Sequence, residues 1–117
     1  MNNRLSLAAL ALLAFSGCAN DPAPTEQLRL TEQAMHQAKA VGASEQIVEL
    51  KLAEERLVQA QAAMTEGEFK QARILAEQAE LDARLAEARM LTHKSETQLA
   101  ALNLQIKRLR TQLGDLQ

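Results

Sequence analysis

The sequence predicts an all-α protein: an antiparallel helical hairpin or a three-helix cluster, with a long C-terminal helix extending as a coiled coil. Three observations carry that expectation. Only 2% of the 117 residues are aromatic, and the apolar positions are mainly Ala and Leu among Glu, Gln and Arg, the composition of long helices. Apolar residues recur three and four apart, which gathers them on one helical face. No Gly or Pro occurs from Glu68 to Leu113, so nothing interrupts a helix there. The same punctuation divides the chain into residues 1–17, a leader; 18–24, a tether; 25–90, an alanine-rich helical domain; and 91–117, a coiled-coil extension.

Residues 1–17 have the three parts of a secretory signal. Arg4 and the terminal amine are the positive region, Leu5 to Phe15 the apolar region, and Ser16 and Gly17 the small residues at the cut. The apolar run is too short to span a bilayer as a stable helix. Cys18 follows directly and is the sole cysteine, so an internal disulfide is excluded and an exported chain needs another account of it. The stretch Leu10 to Cys18 resembles the lipobox of bacterial lipoproteins. Phe15 stands where Leu is usual, Phe15, Ser16 and Gly17 form the signal-peptidase recognition site, and Cys18 takes the lipid. A free or intermolecularly paired thiol after an ordinary signal is the alternative.

The lipobox resemblance implies a chain that starts at Cys18 and carries three acyl chains there. Each buried methylene contributes about 0.8 kcal/mol, so one chain holds marginally and two or three hold almost permanently. In that family an Asp directly after the cysteine favours inner-membrane retention. Ala19 occupies the sorting position here, so the expected location is the outer membrane, facing the periplasm, with the inner membrane as the alternative. Asp21, Pro22 and Pro24 then form a short extended tether, because proline disfavours helix in the residue before it.

The first helix is expected over Thr25–Val41, with Thr25 as cap, Glu26 at the positive end of the dipole, and Leu30, Ala34, Ala38 and Val41 on one face. Gly42 ends it. Ser44 is the expected cap of the second helix, along which Leu50, Ala53, Leu57, Ala60 and Met64 alternate three and four apart. Gly67 either closes that helix in the left-handed conformation or is carried through a continuous one at a cost of about 1 kcal/mol.

The third helix begins near Glu68. Its first half carries a seam of mostly small residues, Phe69, Ala72, Ala76, Ala79, Ala83, Ala86 and Met90, suited to close packing against the second helix. A second face, with Ile74, Leu81, Leu85 and Ala88, is expected to receive the first helix. Beyond Met90 a different stripe takes over: Leu99, Leu102, Ile106, Leu109, Leu113 and Leu116. This is a short coiled-coil seam, and the first two helices are too short to cover it. It is expected to pair with a second copy of the chain or meet a helix of another envelope protein, with an exposed stripe as the alternative.

The run from Leu57 to Ala72, continuing through Leu75 to Ala79 and Asp82-Ala83, resembles the bacterial lipoproteins grouped as domain of unknown function 4398. The likeness reaches back through Pro24, Ala34, Ala38 and Gly42-Ala43 and covers residues 18–90. Phe69 stands where those proteins often have Tyr, and a proline expected near Ser44 to Ile47 is missing. The resemblance implies a helical lipoprotein and supplies no activity. Neither the peptidoglycan-binding domain of some relatives nor the terminal lysine that joins the murein lipoprotein to the cell wall is expected here, so peptidoglycan contact is possible but not indicated.

No catalytic residue, metal ligand set or cofactor loop is expected, and the only prosthetic group is the covalent lipid on Cys18. His36 and His93 fall on different helices, without a cysteine to complete a metal site. No nucleophile elbow or phosphate loop occurs. The 13 basic and 15 acidic side chains are intermixed, unlike the one-sided basic surface of a nucleic-acid binder. Lys107, Arg108 and Arg110 near the C-terminus complement the helix dipole. These features together describe a non-enzymatic envelope protein with a structural or interaction role. The alternative is a periplasmic carrier or accessory subunit that holds a small apolar ligand or assists an envelope enzyme.

Overall fold

The computed structural model describes residues 21–114. The leader, Cys18, Ala19 and Leu116 therefore lie outside the described residues. Within that range the chain forms three helices and no strand: α1 (Thr25–Ala40), α2 (Val48–Thr65) and α3 (Phe69–Gly114).

The two glycines decide the topology. Gly42 (φ 97°) and Gly67 (φ 79°) both occupy the left-handed region, where a Cβ is costly. Each closes a helix with the same pair of hydrogen bonds. Gly42 N–H donates to Lys39 O and Ala43 N–H to Ala38 O, while Gly67 N–H donates to Met64 O and Glu68 N–H to Ala63 O. This is the Schellman closure, which satisfies carbonyls that a helix end leaves free. The alternative of one helix running through Gly67 is thereby excluded.

Two caps differ from expectation. Thr25 is the first residue of α1 and Pro24 its cap, because the fixed φ of proline already suits a helix entrance. Ser44 does not cap α2: its carbonyl accepts Ile47 N–H in a turn, and the helix starts after an extended Ile47. A serine cap contributes about 1 kcal/mol. Delaying the helix instead buries Ala43 and Leu50 against Ala38 and Ala86, with Ile47 and Met90 packed beside them. Full burial of one Leu contributes about 1.5–3 kcal/mol, so packing outweighs the cap.

Both short helices lie on one seam of α3. Ala72, Ala76, Ala79, Ala83 and Ala86 are all completely buried. Ala34 and Met35 of α1 and Ala53 of α2 meet at Ala83, with Leu57 against the cluster, and Ala38 and Leu50 meet at Ala86. Residue numbers thus rise together along α1 and α3 and run oppositely along α2, so the bundle is up-down-up. Side chains of one carbon let helix axes approach at the short end of the usual 8–10 Å. This leaves room on a single face for two neighbours.

That arrangement corrects the expected role of the second face of α3. Ile74, Leu81 and Leu85 do not receive α1; they are 39%, 66% and 46% exposed, and Ala88 is exposed as well. The bundle ends where Met90 meets the Gly42 turn. Every residue from Leu91 to Gly114 is exposed, so α3 continues about 35 Å past its neighbours at 1.5 Å per residue.

Candidate interaction surface

Polar side chains fix the register of the bundle that presents this surface. Thr31 is fully buried, with its hydroxyl 2.9 Å from both Gln27 O in its own helix and Ala76 O in α3. Gln27 Nε2 donates to Glu80 Oε2 at 2.6 Å, and Arg84 donates to Glu80 Oε1 from Nη2 at 2.6 Å. On the other flank Arg56 of α2 pairs with Asp82, and Arg89 pairs with Glu49 at 3.0 Å. Lys39 joins Glu54 at 2.7 Å between α1 and α2. None of these cross-helix partners was anticipated from sequence, because spacing along one helix says nothing about which residue of another it will meet.

The hydrogen bond from Arg84, followed by that from Gln27, holds the Glu80 carboxyl below its ordinary pKa of 4.5. A carboxylate with a depressed folded pKa stabilises the fold above its unfolded pKa, and that contribution is lost as pH falls through the folded value. Glu80→Gln is therefore expected to cost about 1 kcal/mol at neutral pH. The difference from the parent chain should vanish in acid well below the carboxylate range, and urea unfolding midpoints at the two pH values check it.

At the far end, Leu99, Leu102, Ile106, Leu109 and Leu113 are between 47% and 65% exposed. No described residue covers them. They stand on a rigid element rather than a loop, so their three-four spacing is held ready for another helix. Covering each would contribute on the order of 1 kcal/mol, from the exposed half or more of a side chain whose full burial contributes about 1.5–3 kcal/mol. Leu104 is exposed too, off the stripe.

The remaining candidates are scattered. His36 on α1 and His93 on α3 are both exposed, and among the described residues no three His, Cys, Asp or Glu are grouped to hold a metal. The tether is docked: Arg73 Nη2 donates to Pro22 O at 3.3 Å and lies 3.6 Å from Asp21. The adjoining depression of about 540 Å³, between Asp21 and the Gly67 turn with Phe69 and Ile74 on its wall, is open to solvent. The recognition residues Phe15, Ser16 and Gly17, the lipidation residue Cys18, the sorting residue Ala19, and Leu116 of the seam lie outside the described residues.

A family model described as domain of unknown function DUF4398 matches residues 26–102. The chain belongs to the DUF4398 family. A crystal structure of a DUF4398 family protein from Pseudomonas aeruginosa PAO1 superposes with a TM-score of 0.80 at 60% sequence identity, covering 82% of this chain and 100% of that one. No curated protein matches the sequence. The DUF4398 match takes in the whole bundle and α3 as far as Leu102, so the exposed faces of α3 are largely part of the family domain.

Proposed function

We infer that this DUF4398 protein is a lipid-anchored component of the bacterial cell envelope, held through Cys18 at the periplasmic face of the outer membrane. It serves there as a structural or protein-interaction element through its helices. The observation that carries the interaction role is the stripe on α3, which no part of the described chain covers. Anchorage rests on the lipobox-like residues Phe15 to Cys18, and sorting on Ala19. The geometry is consistent with it: residues 21–22 are held by Arg73, at the end of α3 opposite the stripe, so an anchor just before them leaves the stripe clear of the attachment point. No described helix is long and apolar enough to cross a membrane.

Cys18→Ser is the test. The parent chain should sediment with the outer-membrane fraction and take up labelled fatty acid, and the variant should do neither. Unchanged fractionation of the variant would refute the anchor.

A further inference from the structure

The exposed face on the bundle half of α3 and the stripe on its free half share one heptad register. Counting with Leu99 and Ile106 as a and Leu102 and Leu109 as d, the same frame run backwards puts Leu85 at a and Ile74, Leu81 and Ala88 at d. The buried alanines Ala72, Ala76, Ala79, Ala83 and Ala86 all fall at b and f, on the opposite side of the helix. Thus α3 has two backs: one is filled by α1 and α2, and the other is left uncovered by the described residues from Ile74 to Leu113, roughly 60 Å at 1.5 Å per residue.

We propose that this second face is covered by the α3 of another copy of the chain, packed antiparallel, so that each free half lies along the outer back of the other copy's bundle. It builds on the interaction role argued above and names the partner. In an antiparallel pair centred between Thr92 and Ser95, Leu85 faces the partner's Leu102, Leu81 the partner's Ile106, and Ile74 the partner's Leu113. Ala88 faces the partner's Leu99, a small residue against a large one. Each leucine or isoleucine that the bundle leaves exposed on this face therefore meets one from the stripe. The central polar residues are already satisfied, since Thr92 and Ser95 donate to Ala88 O and Leu91 O, each at 2.9 Å. Gln78, opposite the partner's Leu109, is the one amide in the seam.

Charge favours the antiparallel sense. Residues at e and g flank the seam, and their pairing governs orientation. A parallel in-register pair would set Glu77 against the partner's Asp82, and Arg84 against the partner's Arg89, each twice over, a repulsion moderated by the pairing of Asp82, Arg84 and Arg89 with Arg56, Glu80 and Glu49 in their own chain. The antiparallel pair sets Arg89 against the partner's Glu96 and Arg84 against the partner's Gln105, with no like charges opposed. From Gln98 onward the flanks are Gln98, Asn103, Gln105, Arg110 and Gln112, which neither repel a second copy nor select a partner of opposite charge.

Two tagged full-length chains, one with Leu85→Cys and the other with Leu102→Cys, test this in membranes under mild oxidation. The parent chain with Cys18 alone sets the background. Both positions are exposed in the monomer, so the bundle is unaffected. A mixed crosslinked dimer is expected at least 10-fold above either variant alone. Self-crosslinking of each single variant would overturn the antiparallel sense, and absence of any crosslink would overturn the shared seam. Crosslinking only to a different protein would assign the face to that partner instead. Failure of the anchor shows separately, as unchanged fractionation of Cys18→Ser.

Discussion

Ala83→Leu is expected to destabilise the bundle by about 3 kcal/mol, the upper end of the usual cost of overpacking. Ala83 is completely buried where all three helices meet, against Ala34, Met35 and Ala53. Three added carbons have no void to enter, so they must push α1 or α2 off the seam. The bundle is small, and a domain of this size has only a few kcal/mol to lose. Urea or thermal unfolding followed by circular dichroism measures the loss. Ala88→Leu is the control: Ala88 is exposed on the other side of the same helix, and its replacement should leave the unfolding midpoint of the isolated chain nearly unchanged. Equal effects at the two positions would contradict the assignment of one alanine seam to both short helices.

The double substitution Leu102→Asp/Ile106→Asp should have the converse effect. Both side chains are about half exposed in the single chain and lie beyond the end of the bundle, so removing them costs the bundle nothing. In a dimer they would place unpaired carboxylates in the apolar seam opposite the partner's Leu85 and Leu81, where burying an unpaired charge is prohibitive. Self-association, measured by sedimentation equilibrium, is expected to weaken at least 100-fold while the urea midpoint of the monomer is retained. A double variant that associates like the parent would remove the stripe from the interface.

The helices were readable because each depends on short-range chemistry. Gly42 and Gly67 mark closures that need a left-handed residue, and the gap between Gly67 and Gly114 leaves one uninterrupted helix. The alanine seam was readable as well, since a row of buried small residues has few uses besides close helix packing. The cap at Ser44 failed because a local hydrogen bond competes with the joint burial of Ala43 and Leu50, and that burial depends on Ala86, far along the chain. The assignment of α1 to the Ile74, Leu81 and Leu85 face failed for a related reason. It supposed that each helix needs its own apolar face, whereas side chains as short as alanine let two helices share one.

From the sequence alone came the all-α class, the helix end at Gly42, the long C-terminal helix and the lipobox-like stretch on which the envelope assignment rests, while the closure at Gly67 was settled by its hydrogen bonds. All of these follow from residues near one another in the chain, whose conformational preferences and spacing act locally. Tertiary structure alone decided that α1 and α2 crowd onto the b and f side of α3, leaving its a and d side uncovered by the described residues from Ile74 to Leu113. The pairing of Thr31 with Ala76, Gln27 with Glu80 and Arg56 with Asp82 was decided there too. Which faces meet is a competition in burial and close packing between segments tens of residues apart, and no local spacing encodes its outcome.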